Sequence, residues 1–279
     1  MRLLELPPSH QTLDELDDFD AARDLLTPLA ERAGNVFGSW EWLSSWWRHF
    51  GRGRLVLAAV RGPDGAPIAV LPLYRSGRRP LHALRFVGHG PTDQLGPVAA
   101  PEDLPAAAAA LGGIVRDGDL GWNIFLGHEL PAGADWAAEL GAQTLYRTPT
   151  PVLDLATYGS WEAFLASRSQ DFRRKARVEA KLESEHRVTY RLVSDPEELD
   201  GAFATFLRLH EARWRGGSRA FAGCLRDFHH DFAALALERG WLRLLLMEID
   251  GRPAGASIKG SITPWARTAT GRSVLSHDE

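Results

Sequence analysis

The sequence predicts an α/β protein of the α+β kind: two tandem units, each a mixed, mostly antiparallel sheet flanked by helices. Three observations carry this. The 279 residues exceed one ordinary domain and suit two modest ones. A hairpin pattern occurs twice, about 190 residues apart on a scale far beyond local repetition. Its first copy is Arg54-Leu55-Val56-Leu57 with Gly65-Ala66-Pro67-Ile68-Ala69, and its second is Arg243-Leu244-Leu245-Leu246 with Gly251-Arg252-Pro253-Ala254-Gly255-Ala256. Each copy follows a Trp-bearing helical stretch, with Trp46-Trp47 in one and Arg213-Trp214 in the other. Identity between the copies is low, but kind and order agree, as in a duplicated unit; two unrelated hairpins are the alternative. A boundary near Pro149–Pro151 gives units at 1–150 and 151–262, followed by an irregular tail at 263–279.

Taken in order, residues 12–33 read as a helix, because Leu13, Leu16, Phe19, Ala22, Leu25, Leu26 and Leu29 recur at three- and four-residue steps. Ser39 is a fair N-cap for a second helix. On it Trp42, Trp46 and Phe50 fall on one face, a stripe that suits core better than a ligand box. Leu55–Val60 and Pro67–Tyr74 are strands joined by a turn at Arg61-Gly62-Pro63-Asp64-Gly65. Leu84–Val87 is a third strand, 101–116 a helix, Trp122–Leu126 a strand and 134–140 a short helix. Thr144–Leu155 is an extended stretch broken by Pro149 and Pro151. Trp161–Leu165 opens a helix and Asp171–His186 forms a charged one. Val188–Val193 alternates as a strand. Asp195 caps a helix to about Trp214, another helix covers about 221–239, and Trp241–Ile249 with Arg252–Ile262 makes the second hairpin around Asp250-Gly251.

Composition narrows the function classes. With 44% hydrophobic and 24% charged residues, the chain is neither disordered nor collagen-like. The single cysteine, Cys224, excludes an internal disulfide and a cysteine-rich zinc site. The net charge of −4 gives no basic excess for nucleic acid. The N-terminus lacks a signal-peptide core, and the apolar run from Pro105 to Val115 is too short to span a bilayer. A cytoplasmic protein with no membrane or nucleic-acid partner is expected.

The order of features resembles the CelD/BcsL-type acetyltransferases of the GNAT superfamily, which are associated with cellulose and other exopolysaccharide synthesis. The residues that carry the resemblance are Ser39-Trp40-Glu41-Trp42-Leu43-Ser44-Ser45-Trp46-Trp47, Leu71-Pro72-Leu73, and Leu84-Arg85-Phe86-Val87-Gly88 followed by Asp93. In the second half they are Trp161-Glu162-Ala163-Phe164-Leu165, the Arg-rich stretch 173–177, Leu209-His210-Glu211-Ala212-Arg213-Trp214, and Trp241-Leu242-Arg243-Leu244. The resemblance covers about residues 35–258 and implies tandem GNAT-like folds with the acyl-CoA site in the second unit. It implies acetyl-CoA or another acyl-CoA as co-substrate, a saccharide or other small-molecule acceptor with a hydroxyl or amine, and no metal. The pyrophosphate loop of that superfamily, Arg/Gln-x-x-Gly-x-Gly/Ala, should follow about residue 262. The segment from Thr263 does not contain it, so the second unit is expected to be incomplete, short by about 60–90 residues on the usual strand–loop–helix complement. An unpaired sheet edge and a possible homodimer would follow. Arg85-Phe86-Val87-Gly88-His89-Gly90 has the spacing, but Pro91-Thr92-Asp93-Gln94 follows instead of a helix, leaving an irregular turn as its simpler reading.

Acyl transfer needs an anchor for an anion, a group that polarises the carbonyl, and a proton acceptor. His210, Glu211 and Arg213 are the catalytic candidates, with His210 or Glu211 as base and Arg213 orienting an anionic group. The alternative for them is a helix end with a favourable cation. Asp93, Gln94 and Trp214 are the substrate-binding candidates. Glu248 is a further possible base, and Arg173, Arg174, Lys175 and Arg177 could meet phosphates or form a solvated face. His229, His230 and Asp231 are adjacent on a helix, point in different directions and cannot easily chelate one ion. Ser9 and His10 lie too near the terminus to matter. Two other functions stay open: a non-catalytic binding or scaffold remnant of the fold, and a Fem-like aminoacyl transferase using the basic stretch Arg168–Arg191.

Overall fold

The computed structural model describes residues 12–78, 80–117, 121–149, 153–154 and 157–262. It is a mixed α/β structure with two separate sheets. The first sheet contains β1 (Thr12–Leu16), β2 (Arg54–Arg61), β3 (Pro67–Arg78), β4 (Leu81–Phe86), β5 (Val98–Ala99) and β6 (Ile124–Leu126). Its order is β1-β2-β3-β4-β6, with β5 on β3, and every pairing is antiparallel except β4–β6. The second sheet is β7 (Val188–Leu192), β8 (Leu242–Ile249) and β9 (Arg252–Gly260), antiparallel throughout in that order. Both expected hairpins are present. The second turns at Asp250 (φ 52°) and Gly251 (φ 78°), the double left-handed geometry that a two-residue hairpin turn requires.

Period-two alternation sorts the first sheet's side chains. Val56, Ala58, Val60, Leu71, Leu73, Leu84 and Phe86 face α3 (Leu104–Asp117) and α4 (Trp136–Leu140) and form one buried cluster. Leu57, Val70 and Tyr74 join a second cluster with α1 (Phe19–Ala33) and α2 (Trp40–Phe50). That second cluster does not stop at the midpoint of the chain. It continues through Phe206 of α7 (Pro196–Trp214) and Phe228 and Phe232 of α8 (Cys224–Glu238) to Leu242, Leu244 and Leu246 of β8. Trp42 supplies the joint, meeting Phe228 and Phe232 edge-on with centroids 4.8 and 4.7 Å away. Burial of aromatics in this geometry adds attraction beyond area alone. The stripe Trp42, Trp46, Phe50 is therefore core, with Trp42 and Trp46 buried.

One element expectation is corrected. Residues 12–16 form β1, paired with Leu57–Arg61, and the helix begins only at Phe19. Asp18 caps it, accepting from the Ala21 N–H at 2.9 Å. Pairing with β2, 41 or more residues away in sequence, overrides a local helical period. The described part of Thr144–Leu155, residues 144–149, 153 and 154, lies outside the helices and strands. The expected tail 263–279 and the residues Ser9 and His10 lie outside the described residues. Among the described residues no helix is long and apolar enough to cross a membrane. The two remaining helices, α5 (Trp161–Ser167) and α6 (Gln170–Glu185), precede β7.

Candidate functional site

Helix α7 positions the principal candidates. Pro196 stands in its first turn and Asp195 caps it, accepting from Glu197 N–H at 2.9 Å, a start that fixes where the other end emerges. Leu199, Ala202, Phe203 and Phe206 bury its inner face, and the helix lies against β8 and β9. Arg215, at φ 49°, ends it in the left-handed conformation and donates its N–H to the Glu211 carbonyl at 2.8 Å. The chain then doubles back through Gly216 and Gly217 to Ser218. His210 Nε2 comes to lie 3.0 Å from Ser218 Oγ. Ser218 Oγ also accepts from Ala220 N–H at 3.3 Å. A hydroxyl that accepts from one neighbour keeps its proton for the other, so Ser218 is suited to donate to Nε2.

The His210 ring stands among aromatics. Phe206, Phe221 and Trp214 have centroids 6.0, 5.1 and 6.2 Å from it. From Phe221 the ring contacts run on to His229 at 4.7 Å and from His229 to Trp42 at 6.1 Å. Trp42 Nε1 donates to Thr92 Oγ1 at 2.8 Å. The loop carrying Asp93 and Gln94 is thus tied through Trp42 to the wall that holds His210. Burial pushes the His229 imidazole down to about 4, so it is neutral at physiological pH.

The other candidates scatter around this wall. Glu211 is exposed and turned towards Gly216. Arg213 is exposed, with its guanidinium 5.5 Å over the ring of Trp214, itself 52% exposed. Adjacent helical residues diverge by about 100°, which separates Glu211 from His210, whereas Arg213, three residues on, lies on the same side of the helix as His210. Asp93 and Gln94 are exposed beside buried Thr92. Glu248 is half-buried at the irregularity in the β8–β9 register. Arg174 and Lys175 both pair with Asp171 on α6, and Arg173 donates to the Arg168 carbonyl. This is the pattern of a solvated helix face.

No metal-ligand group of three or more residues occurs among the described residues. His229, His230 and Asp231 diverge as their spacing requires: His229 to Phe221 and Trp42, His230 to Asp200 at 2.8 Å, and Asp231 to His49 at 2.8 Å and Arg48 at 3.2 Å. The start of α8, whose His229 joins the ring contacts of His210 through Phe221, has no side-chain cap. Its Leu225 and Arg226 N–H groups already bond to the Ala222 and Gly223 carbonyls, so little donor capacity remains there for an anion. Arg85–Gly90 leads into a turn and then β5, not into a helix. A cavity of about 530 Å³ lies elsewhere, lined by Arg75, Pro80, His82, Gly121, Trp122 and Asn123, and contains none of the candidates.

Sequence reasoning missed Ser218 and Phe221 as companions of His210, and it discussed His229 only as a rejected metal ligand. Gly216-Gly217-Ser218, directly after the helix end, was the available signal for a reversal. Comparison with known proteins bears on the same region. No curated protein and no solved structure matches the chain. Residues 166–259, which run from the end of α5 to the last residues of β9 and enclose His210, Ser218 and His229, match the family model described as an acetyltransferase (GNAT) domain.

Proposed function

We propose that the protein is an acyl-CoA-dependent acyltransferase of the CelD/BcsL type that moves an acetyl group from acetyl-CoA to a hydroxyl or amine of a saccharide or other small acceptor. The observation that carries this reading is the acetyltransferase (GNAT) match over residues 166–259, a domain whose general chemistry is acyl transfer from acyl-CoA. His210 supports it as proton acceptor, because it is a half-buried imidazole at a helix end with a hydroxyl within 3.0 Å. The acceptor's heteroatom attacks the thioester carbonyl and its proton passes to His210, directly or through Ser218. The C–S bond then breaks and the thiolate takes that proton. Arg213 and Trp214, exposed beside this ring, are proposed to meet the anionic and apolar parts of the ligand, with Asp93 and Gln94 on the facing loop.

A second reading has one observation in its favour. The start of α8 spends the Leu225 and Arg226 N–H groups on its own turn, which suits a binding or scaffold module. Calorimetry with acetyl-CoA, followed by thiol release with saccharide and amine acceptors, separates the two. Micromolar binding with turnover is expected, and His210→Ala should lower turnover by about 100-fold, the usual scale for a general base. Arg213→Ala should raise KM more than it lowers kcat. No heat at millimolar acetyl-CoA would leave the binding-module reading.

A further inference from the structure

Strands β4 and β6 are the parallel pair of the first sheet, and their carboxyl-terminal ends run side by side into His89 and His128. Crevices beyond the carboxyl ends of neighbouring parallel strands are where ligands collect in open sheets. The two imidazoles face each other there, with centroids 4.7 Å apart and planes 36° from parallel. Arg85, near the end of β4, stands directly across from Tyr74 of β3, and its charge bears on that phenol. The Arg85 Nε–H is shielded from solvent and has no partner. Trp46 fixes the rest, lying 5.3 Å from the Tyr74 ring and donating Nε1–H to the His89 carbonyl at 3.1 Å. Gly88, at φ +102°, lets the loop pass close to Thr92 and Leu95, where a Cβ would lie 2.9 Å from each side chain. No carboxylate pairs with Arg85, His89 or His128 among the described residues.

We propose that this cluster is an oxyanion-binding site that takes the carboxylate or phosphate group of a small ligand between Arg85, His89 and His128. A guanidinium offers parallel N–H donors that match a planar carboxylate or a phosphate edge. Two imidazole N–H groups complete the set. A buried donor without an acceptor calls for an explanation, and a ligand oxygen supplies one. The site is made of side chains rather than of a helix N-terminus, and it does not depend on the acyl-transfer reading.

The charges around it give the site a pH signature. Burial first, and then the positive charges of Arg85 and His128, hold the His89 imidazole below its ordinary value. The groups facing it are Arg85 from β4, His128 beyond β6, and Tyr74 from β3, whose phenol burial keeps protonated. From α2 the neighbour is uncharged Trp46. A bound anion reverses the repulsion between the cations, so binding takes up a proton and tightens as the pH falls through the ordinary histidine range.

The test is nuclear magnetic resonance of the histidine ring C–H signals in the full chain. It would be titrated separately with inorganic phosphate, glucuronate and glucose at pH 6 and pH 8. Saturable shifts of His89 and His128 are expected with one or both anions and none with glucose. The anion should bind about tenfold more tightly at the lower pH, the effect of one charge-assisted contact. Phosphate alone would identify a phosphate ester, and glucuronate alone a carboxylate. Arg85→Gln should abolish the shifts. Should that variant fail to fold, His128→Gln replaces it and should weaken binding about tenfold. Absence of saturable shifts at tens of millimolar anion would overturn the proposal, as would shifts equal at both pH values or unaltered by either substitution.

Discussion

At the scale of single residues, His229 shows how burial sets chemistry. Its ring is wedged beside Trp42, Phe221 and Phe228, and burial pushes its pKa down to about 4. An unfolded histidine titrates near 6.5. Between those values the unfolded chain binds more protons than the folded one, so stability falls as the solution is acidified from about 6.5 towards 4. The slope approaches 1.4 kcal/mol per pH unit for one proton, and above about pH 7 this residue adds no pH dependence. His229→Phe keeps a ring in place and removes the titration. Urea unfolding of both proteins from pH 4.5 to 7.5 should give a shallower acid loss for the variant, by about one proton's worth. Equal slopes would show that His229 binds protons alike in the folded and unfolded chains. His210, one aromatic ring away, illustrates the other side. The sequence offers His210 as a candidate within Leu209-His210-Glu211-Ala212-Arg213-Trp214, but not its hydrogen-bond partner Ser218. That contact is created by Arg215 and Gly216, both at positive φ; Gly216-Gly217 signals the reversal, but not which side chain it returns to His210.

At the scale of elements, local rules read well wherever the local chain decides. Ser39 caps α2 by accepting from Trp42 N–H at 3.3 Å, Asp195 caps α7, and both hairpins turn where Gly and Asp were placed for it. Elements fixed by distant partners were misread or missed. β1 exists because β2 offers an edge, and β5 is only two residues long and borrowed by β3. The meeting of α2 with α8 was invisible for the same reason. It includes a buried ion pair: Glu41, 2% exposed, accepts from Arg239 Nε at 2.7 Å, while its second oxygen, Oε2, is buried without a partner. Breaking such a pair strands a charge, whereas replacing both members with apolar groups is often tolerated. Arg239 is 39% exposed, so water softens the loss, and Arg239→Ala should cost about 2 kcal/mol, below the roughly 3–5 kcal/mol usual for a fully buried pair. Glu41→Met combined with Arg239→Ala should recover most of that. Chemical unfolding of the single and double variants checks it; a double variant no more stable than Arg239→Ala would mean the charge was never the problem.

At the scale of the whole molecule, the two sheets share one apolar interior. It passes from Leu57 and Val70 on the first sheet through α2 and α8 to Leu244 and Leu246 on the second. Two sheets in one chain need not behave this way, since units with separate cores can unfold separately. Here Trp42 is buried with 4% exposure, holds Phe228 and Phe232 from across the seam and donates to Thr92. Trp42→Ala therefore removes contacts to both halves at once and should cost about 3–5 kcal/mol, the usual range for a buried aromatic truncated to Ala. If the molecule opens as one cooperative unit, that cost is felt wherever exchange requires global opening. Amide hydrogen exchange gives the discriminating measurement. Protection of Leu71 and Leu73 in β3 and of Leu244 and Leu246 in β8 should fall by the same factor in the variant. Loss confined to the first sheet would show two independently stable halves and an interface between them that merely touches, despite the shared cluster. Equal loss would mean that α7, with the site proposed at His210, draws its rigidity from residues on the far side of the seam.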